Sequence, residues 1–182
     1  MLIPTAIEQI NNVVSVLYSN TLQSDTAVFD TGANGIPGTF SHLKIEAYLR
    51  TTEATAFSAA LLRFNGDSGT NYDRCTMRND NTTLSGTTSL AQGSTLIRCA
   101  GASVDANFFS PIGVWIPNYA AGAGFNKSHN AVTSVMSTDA TECSILIIGA
   151  MWRSAASINQ ISLTANSGSF LTGSRVTIYG LR

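Results

Sequence analysis

The stretch His42-Leu43-Lys44-Ile45-Glu46-Ala47-Tyr48-Leu49-Arg50 decides the fold class of this chain. Leu43, Ile45, Ala47 and Leu49 alternate with His42, Lys44, Glu46, Tyr48 and Arg50. A period of two belongs to a pleated strand with one dry and one wet face, whereas an amphipathic helix spaces its apolar residues three and four apart. Outward from it, shorter runs of the same kind fall at roughly 27–30, 56–65, 72–78, 94–99, 108–117, 130–136, 143–153, 158–164 and 173–181. Turn formers separate them, as in Asn65-Gly66-Asp67-Ser68-Gly69-Thr70-Asn71 and the polar tract 79–88. About ten strands without alternating helices exclude a βαβ architecture, and connections of about ten residues suit Greek-key crossings. The expected fold is all-β, a jelly-roll-like antiparallel β-sandwich forming a single domain over residues 26–182.

Residues 1–25 differ in kind and predict a short N-terminal helix or arm. Thr5 and Glu8 match a capping box, and Ile3, Ile7, Ile10, Val14 and Leu17 recur at spacings of four and three, as in a heptad seam. Such a helix would either lie on its own domain or meet copies of itself, and isoleucine at both a and d favours three chains over two. The β-branched run Val13-Val14-Ser15-Val16 allows an extended arm instead. These five positions are the candidate self-association residues, and a homotrimer is expected.

Only 12% of the 182 residues are charged, ten Lys plus Arg against eleven Asp plus Glu, while serine and threonine supply more than a fifth. With no block of like charge, neither nucleic acid nor an anionic membrane surface is an expected partner. No apolar run approaches the ~18 residues of a membrane span, and Met1–Gln9 lacks the basic and apolar regions of a secretion signal, so synthesis in a cytoplasm is expected. Cys75, Cys99 and Cys143 have no Cys or His neighbour at zinc-site spacing and read as reduced, buried thiols. No metal and no cofactor is expected.

The one catalytic-looking triplet is Asp30-Thr31-Gly32, followed by Ala33, with a later Ile147-Ile148-Gly149. Together they suggest the paired aspartates of a dimeric aspartic protease. The same triplet, running into Asn34-Gly35, is also ordinary turn chemistry, and no catalytic residue is assigned. His42 and His129 have no adjacent nucleophile and read as surface residues. The loop Asn65–Asp73 carries oxygen ligands at alternate positions without the order of an EF-hand. Trp115 falls on the opposite phase to Ile112, Val114 and Ile116, and Tyr119 follows in a Gly-rich loop. Both are candidate contacts for a partner protein or a glycan.

Two stretches carry a likeness: Leu61-Leu62-Arg63-Phe64-Asn65-Gly66-Asp67-Ser68-Gly69-Thr70-Asn71-Tyr72-Asp73, and the carboxyl-terminal Gly168–Leu181, which ends Ile178-Tyr179-Gly180-Leu181. With the 42–50 strand, the turn Ile116-Pro117-Asn118-Tyr119 and Met151-Trp152-Arg153, the chain resembles a family of small virion structural proteins of tailed bacteriophages. The resemblance implies a β-sandwich displayed on the virion, assembled in the host cytoplasm. It would serve as a capsid decoration or cement subunit binding the major capsid protein or another virion protein. A head-fibre, tail-fibre or receptor-binding module that contacts a host surface glycan is the alternative. The family supplies no active-site residue to carry over.

Overall fold

The computed structural model describes residues 13–122, 124–138 and 142–182. They form twelve strands: β1 (Val14–Thr21), β2 (Val28–Asp30), β3 (His42–Leu49), β4 (Phe57–Phe64), β5 (Tyr72–Asp80), β6 (Thr83–Gln92), β7 (Thr95–Ala100), β8 (Ser110–Pro117), β9 (Lys127–Val135), β10 (Ser144–Trp152), β11 (Ile161–Ala165) and β12 (Arg175–Leu181). An eight-stranded sheet runs β1-β12-β3-β8-β9-β10-β5-β6 and a four-stranded sheet runs β2-β11-β4-β7. Every ladder between these strands is antiparallel.

One register explains the jelly roll. Tyr48 faces Arg175, Phe64 faces Ile161 and Tyr72 faces Trp152, so residues 42–80 and 144–181 are two arms of one long hairpin. The arms pass from sheet to sheet together, β3 with β12, then β4 with β11, then β5 with β10. Rolling a paired hairpin this way keeps its backbone groups satisfied while it closes around a core. Leu43, Ile45 and Leu49 of β3 are fully buried, as are Leu62 and Phe64 of β4 and Ile97 of β7, and they join one hydrophobic cluster between the sheets. Truncating one of these to alanine would cost about 2–5 kcal/mol.

Three expectations need correction. Residues 14–21 take the extended alternative rather than the helix, as strand β1, and pair along β12, with a bulge between Val16 and Tyr18. Val14 is half exposed and Leu17 packs against the core, so these two share no heptad seam; Ile3, Ile7 and Ile10 lie outside the described residues. The physical reason is that β12 offers an open edge to a β-branched segment, whereas two heptads of helix are marginal alone. Second, the polar tract 79–88 is not a connection but the end of β5, a two-residue loop at Asn81-Thr82, and the first half of β6. No residue of that strand is buried, so no apolar alternation was there to be read. Third, Cys75 points outward from β5 and is exposed, while Cys99 is buried, its thiol pushed up to about 12 by burial.

Candidate functional site

The outward phase of the eight-stranded sheet collects the functional candidates. Across the strands Thr177, Glu46, Gly113, Val132, Ile147, Met77 and Gly86 stand directly opposite one another in successive ladders. Two residues along, a parallel row runs Tyr179, Lys44, Trp115, Asn130, Gly149, Cys75. The face carries a polar groove over β1, β12, β3 and β8, closed on its far side by β9 and β10, and an apolar band over β9, β10, β5 and β6, with Val132 and Ile145 common to both.

The groove has a volume of about 1070 Å³. Its floor is Gly113 on the inner strand β8, where an added Cβ would meet nothing within 4 Å. Ser19, Thr177 and Tyr179 line one wall, and Val132 and Ile145 the other. Lys44 and Glu46, two apart on β3 and therefore on one face, form an ion pair at 2.6 Å. The Lys44 hydrogen bond holds the Glu46 carboxyl below its usual range, with burial opposing and Tyr179 assisting, and the same pair raises the Lys44 ammonium. At the groove's end the Arg175 guanidinium lies over the Tyr48 ring at 5.4 Å, and that ring stacks on Phe109 at 5.5 Å.

The apolar band consists of Val132, Ile147 and Met77, exposed by 53%, 51% and 55%, with Ile145 and Leu84 beside them. Trp115 faces outward as its phase requires, beside the groove, packed against the His42 ring at 5.1 Å. Tyr119 does not join it. Asn118 takes a positive φ of 50° and turns the chain inward, so Tyr119 is fully buried, its hydroxyl donating to the Pro37 carbonyl. A contact role for Tyr119 is thereby replaced by a core role.

Asp30 ends the short edge strand β2, accepts the Gly32 N–H at 2.8 Å and holds the Gln160 side-chain amide at 2.9 and 3.0 Å. Gly32 has a positive φ of 76°, as a turn of this type needs. Ile147-Ile148-Gly149 lies in β10, in the other sheet. The structure therefore does not bring the two protease-like segments together. His129 is buried rather than on the surface: it lies on the inward phase of β9, Nε2 sits 2.9 Å from Thr95 Oγ1, and burial lowers its pKa to about 4. In the Asn65–Asp73 loop the Asp67 carboxylate is taken up by Gly69, Asn71 and Trp152. Among the described residues no group of three or more His, Cys, Asp or Glu could hold a metal ion.

Sequence reasoning gave the outward facing of Trp115 and missed the groove. Its signal was present in Pro111, Gly113 and Trp115, where a glycine holds the outward phase of an alternating strand and leaves a gap in the face. The missing information was which strands flank that gap.

No family model and no curated protein matches the chain. Among solved structures it is similar to the CBM40 of Ruminococcus gnavus IT-sialidase bound to α2,3-sialyllactose, at 11% identity and a TM-score of 0.38, covering 90% of this chain and 91% of that one. For the same module bound to α2,6-sialyllactose the identity is 11%, the TM-score 0.36 and the coverage 90% and 92%.

Proposed function

We propose that this protein is a non-catalytic structural subunit of a tailed-bacteriophage virion, a decoration or cement subunit that docks as a homotrimer on the outside of the particle. The observation that carries the reading, beside the family resemblance, is the band Val132–Ile147–Met77, in register on three neighbouring strands and half exposed. Covering half-exposed side chains of this size is worth about 1 kcal/mol each, and contiguous apolar patches of this kind mark protein contacts. The band leads to the edge strand β6, which carries no charged residue and no proline from Thr83 to Gln92. Charges and prolines are the usual devices that keep an edge from pairing, so this edge is open to a neighbouring chain. A surface with few charges also loses little to desolvation on assembly. The turn geometry of Asp30 supports the absence of peptidase activity.

The test is rebinding. Purified protein is mixed with particles lacking it, and occupancy is read by electron microscopy for the wild type and for Met77→Lys with Ile147→Lys. Saturable binding of the wild type and its loss in the double variant is the expected result. A wild type that fails to bind the particle overturns the reading. The exposed Trp115 favours one second reading, a receptor-binding module: in that case Trp115→Ala abolishes adsorption to host cells and leaves particle occupancy unchanged.

A further inference from the structure

We infer that the groove over Gly113 is a saccharide site that takes a carboxylated glycan, with Arg175 as the partner of the carboxylate. The inference does not depend on the assembly reading, which is tested at Met77 and Ile147 outside the groove, although Val132 belongs to both surfaces.

The argument starts from what the groove cannot hold. Its floor is made by β3 and β8, inner strands whose backbone is paired on both sides, so an extended peptide could not add itself as a strand. Such a peptide would leave its own N–H and C=O groups to a few side chains, at a cost of about 1–3 kcal/mol for each one left unpaired. A nucleic acid would need a track of cations, and the groove has two, Lys44 and Arg175, against Glu46. An aliphatic chain would strip water from the Lys44–Glu46 pair and the hydroxyls of Ser19 and Thr177 without replacing it.

What remains is a ligand with hydroxyls around its rim and apolar C–H faces, which is a saccharide. Ser19 and Thr177, whose hydroxyls bond each other at 3.3 Å, and Tyr179 line one wall, and the Lys44 ammonium and Glu46 carboxylate keep further donor and acceptor positions beside their own contact. Val132 and Ile145 on the opposite wall offer surfaces for a sugar's apolar face. The Gly113 floor gives a ring room to descend, since nothing occupies the space a side chain would fill.

Arg175 adds the charge preference. Its guanidinium rests on the Tyr48 ring and has neither a hydrogen bond nor an ion pair among the described residues. The charges of Lys44 and Glu46 cancel, so the groove is left with one uncompensated cation whose planar fork suits a carboxylate.

The test is a titration of the isotopically labelled full chain by two-dimensional NMR. The probes are trigalacturonate and a hyaluronan tetrasaccharide, each compared with its carboxyl-reduced counterpart. At least one acidic glycan should bind saturably with a Kd of about 1 mM or tighter, shift the Gly113 amide, and bind about ten-fold more tightly than its reduced form. Arg175→Ala and Arg175→Gln should both remove that ten-fold difference. Gly113→Leu, whose Cβ meets nothing within 4 Å, should block both forms while amides outside the groove stay unchanged. Absence of saturable shifts at Gly113 for both acidic glycans up to about 10 mM overturns the inference, as does a carboxylate preference that survives both Arg175 variants. All three variants should still occupy particles; loss of occupancy in Met77→Lys with Ile147→Lys, glycan binding intact, would separate the two surfaces.

Discussion

The Trp152 indole N–H donates to the Asp67 carboxylate at 2.7 Å, tying the corner after β4 to the end of β10. The same carboxylate accepts the Gly69 N–H at 2.8 Å and the Asn71 amide at 2.9 Å. Tyr72 stacks on Trp152 with centroids 6.4 Å apart, and its hydroxyl accepts the Phe64 N–H. Two of the stretches that carry the family resemblance, Leu61–Asp73 and Met151-Trp152-Arg153, therefore meet as one structural corner. Their residues are engaged in holding the two arms of the hairpin together.

Asp67→Ala should destabilise the fold by about 2–3 kcal/mol in urea denaturation, because it leaves the Trp152 N–H buried and unpaired. Burial pushes the Asp67 carboxyl up, but hydrogen bonds from Trp152, Asn71 and Gly69 outweigh it, and its pKa falls below the ordinary 3.8. The contribution is accordingly present above pH 3.8 and lost as the pH falls through the folded value. Asp67→Asn should flatten the stability curve in that acid range, and an unchanged curve would refute the linkage.

A second pH window belongs to His129. Burial depresses its pKa from 6.5 to about 4, so the unfolded chain takes up a proton that the folded one refuses. Stability is complete above pH 6.5 and declines as the pH falls toward 4, by about 3 kcal/mol in all. His129→Leu should abolish the slope between these limits whatever it does to stability at neutral pH. The measurement is chemical denaturation at intervals across the window.

Arg50 is buried with its guanidinium donating to the carbonyls of Ala102, Val104, Asp105 and Phe108. That fan of bonds shapes the connection between β7 and β8 without a carboxylate. Arg50→Met should cost about 3 kcal/mol or more, and Arg50→Lys should recover little of it, since one ammonium cannot span four acceptors. A lysine variant as stable as wild type would contradict this account.

Assembly can be read by light scattering. The expected mass is about three times 19.2 kDa. Met77→Lys with Ile147→Lys should lower it if the apolar band forms the contact, and deletion of residues 1–12 should lower it if that segment contributes. A monodisperse monomer in solution and a single copy per docking site on the particle would together refute the trimer.

For Asp30 the expectation is turn chemistry. Asp30→Ala should cost about 1 kcal/mol through loss of the Gly32 and Gln160 bonds, while Asp30→Asn, which keeps an acceptor, should cost less. Peptide cleavage at acid pH that disappears in Asp30→Asn would restore the protease.

The sequence by itself determined the class of fold and the facing of its best strands. Alternation in 42–50 and 110–117 was enough to send Leu43, Ile45 and Ile116 inward and Trp115 outward, because pleating is a local property of the backbone. What it left open depended on partners far along the chain. Val14–Thr21 is a strand because β12 lies beside it, and Thr83–Gln92 is one because β5 does; neither segment has the one-sided burial that writes a pattern. A positive φ at Asn118 took Tyr119 into the core, a rotation that no period records. Only the strand order placed Gly113 between Glu46 and Val132, and so made an open groove out of residues that are each unremarkable in their own strands. Periodicity reports which way a side chain points, whereas register and strand order decide what it points beside.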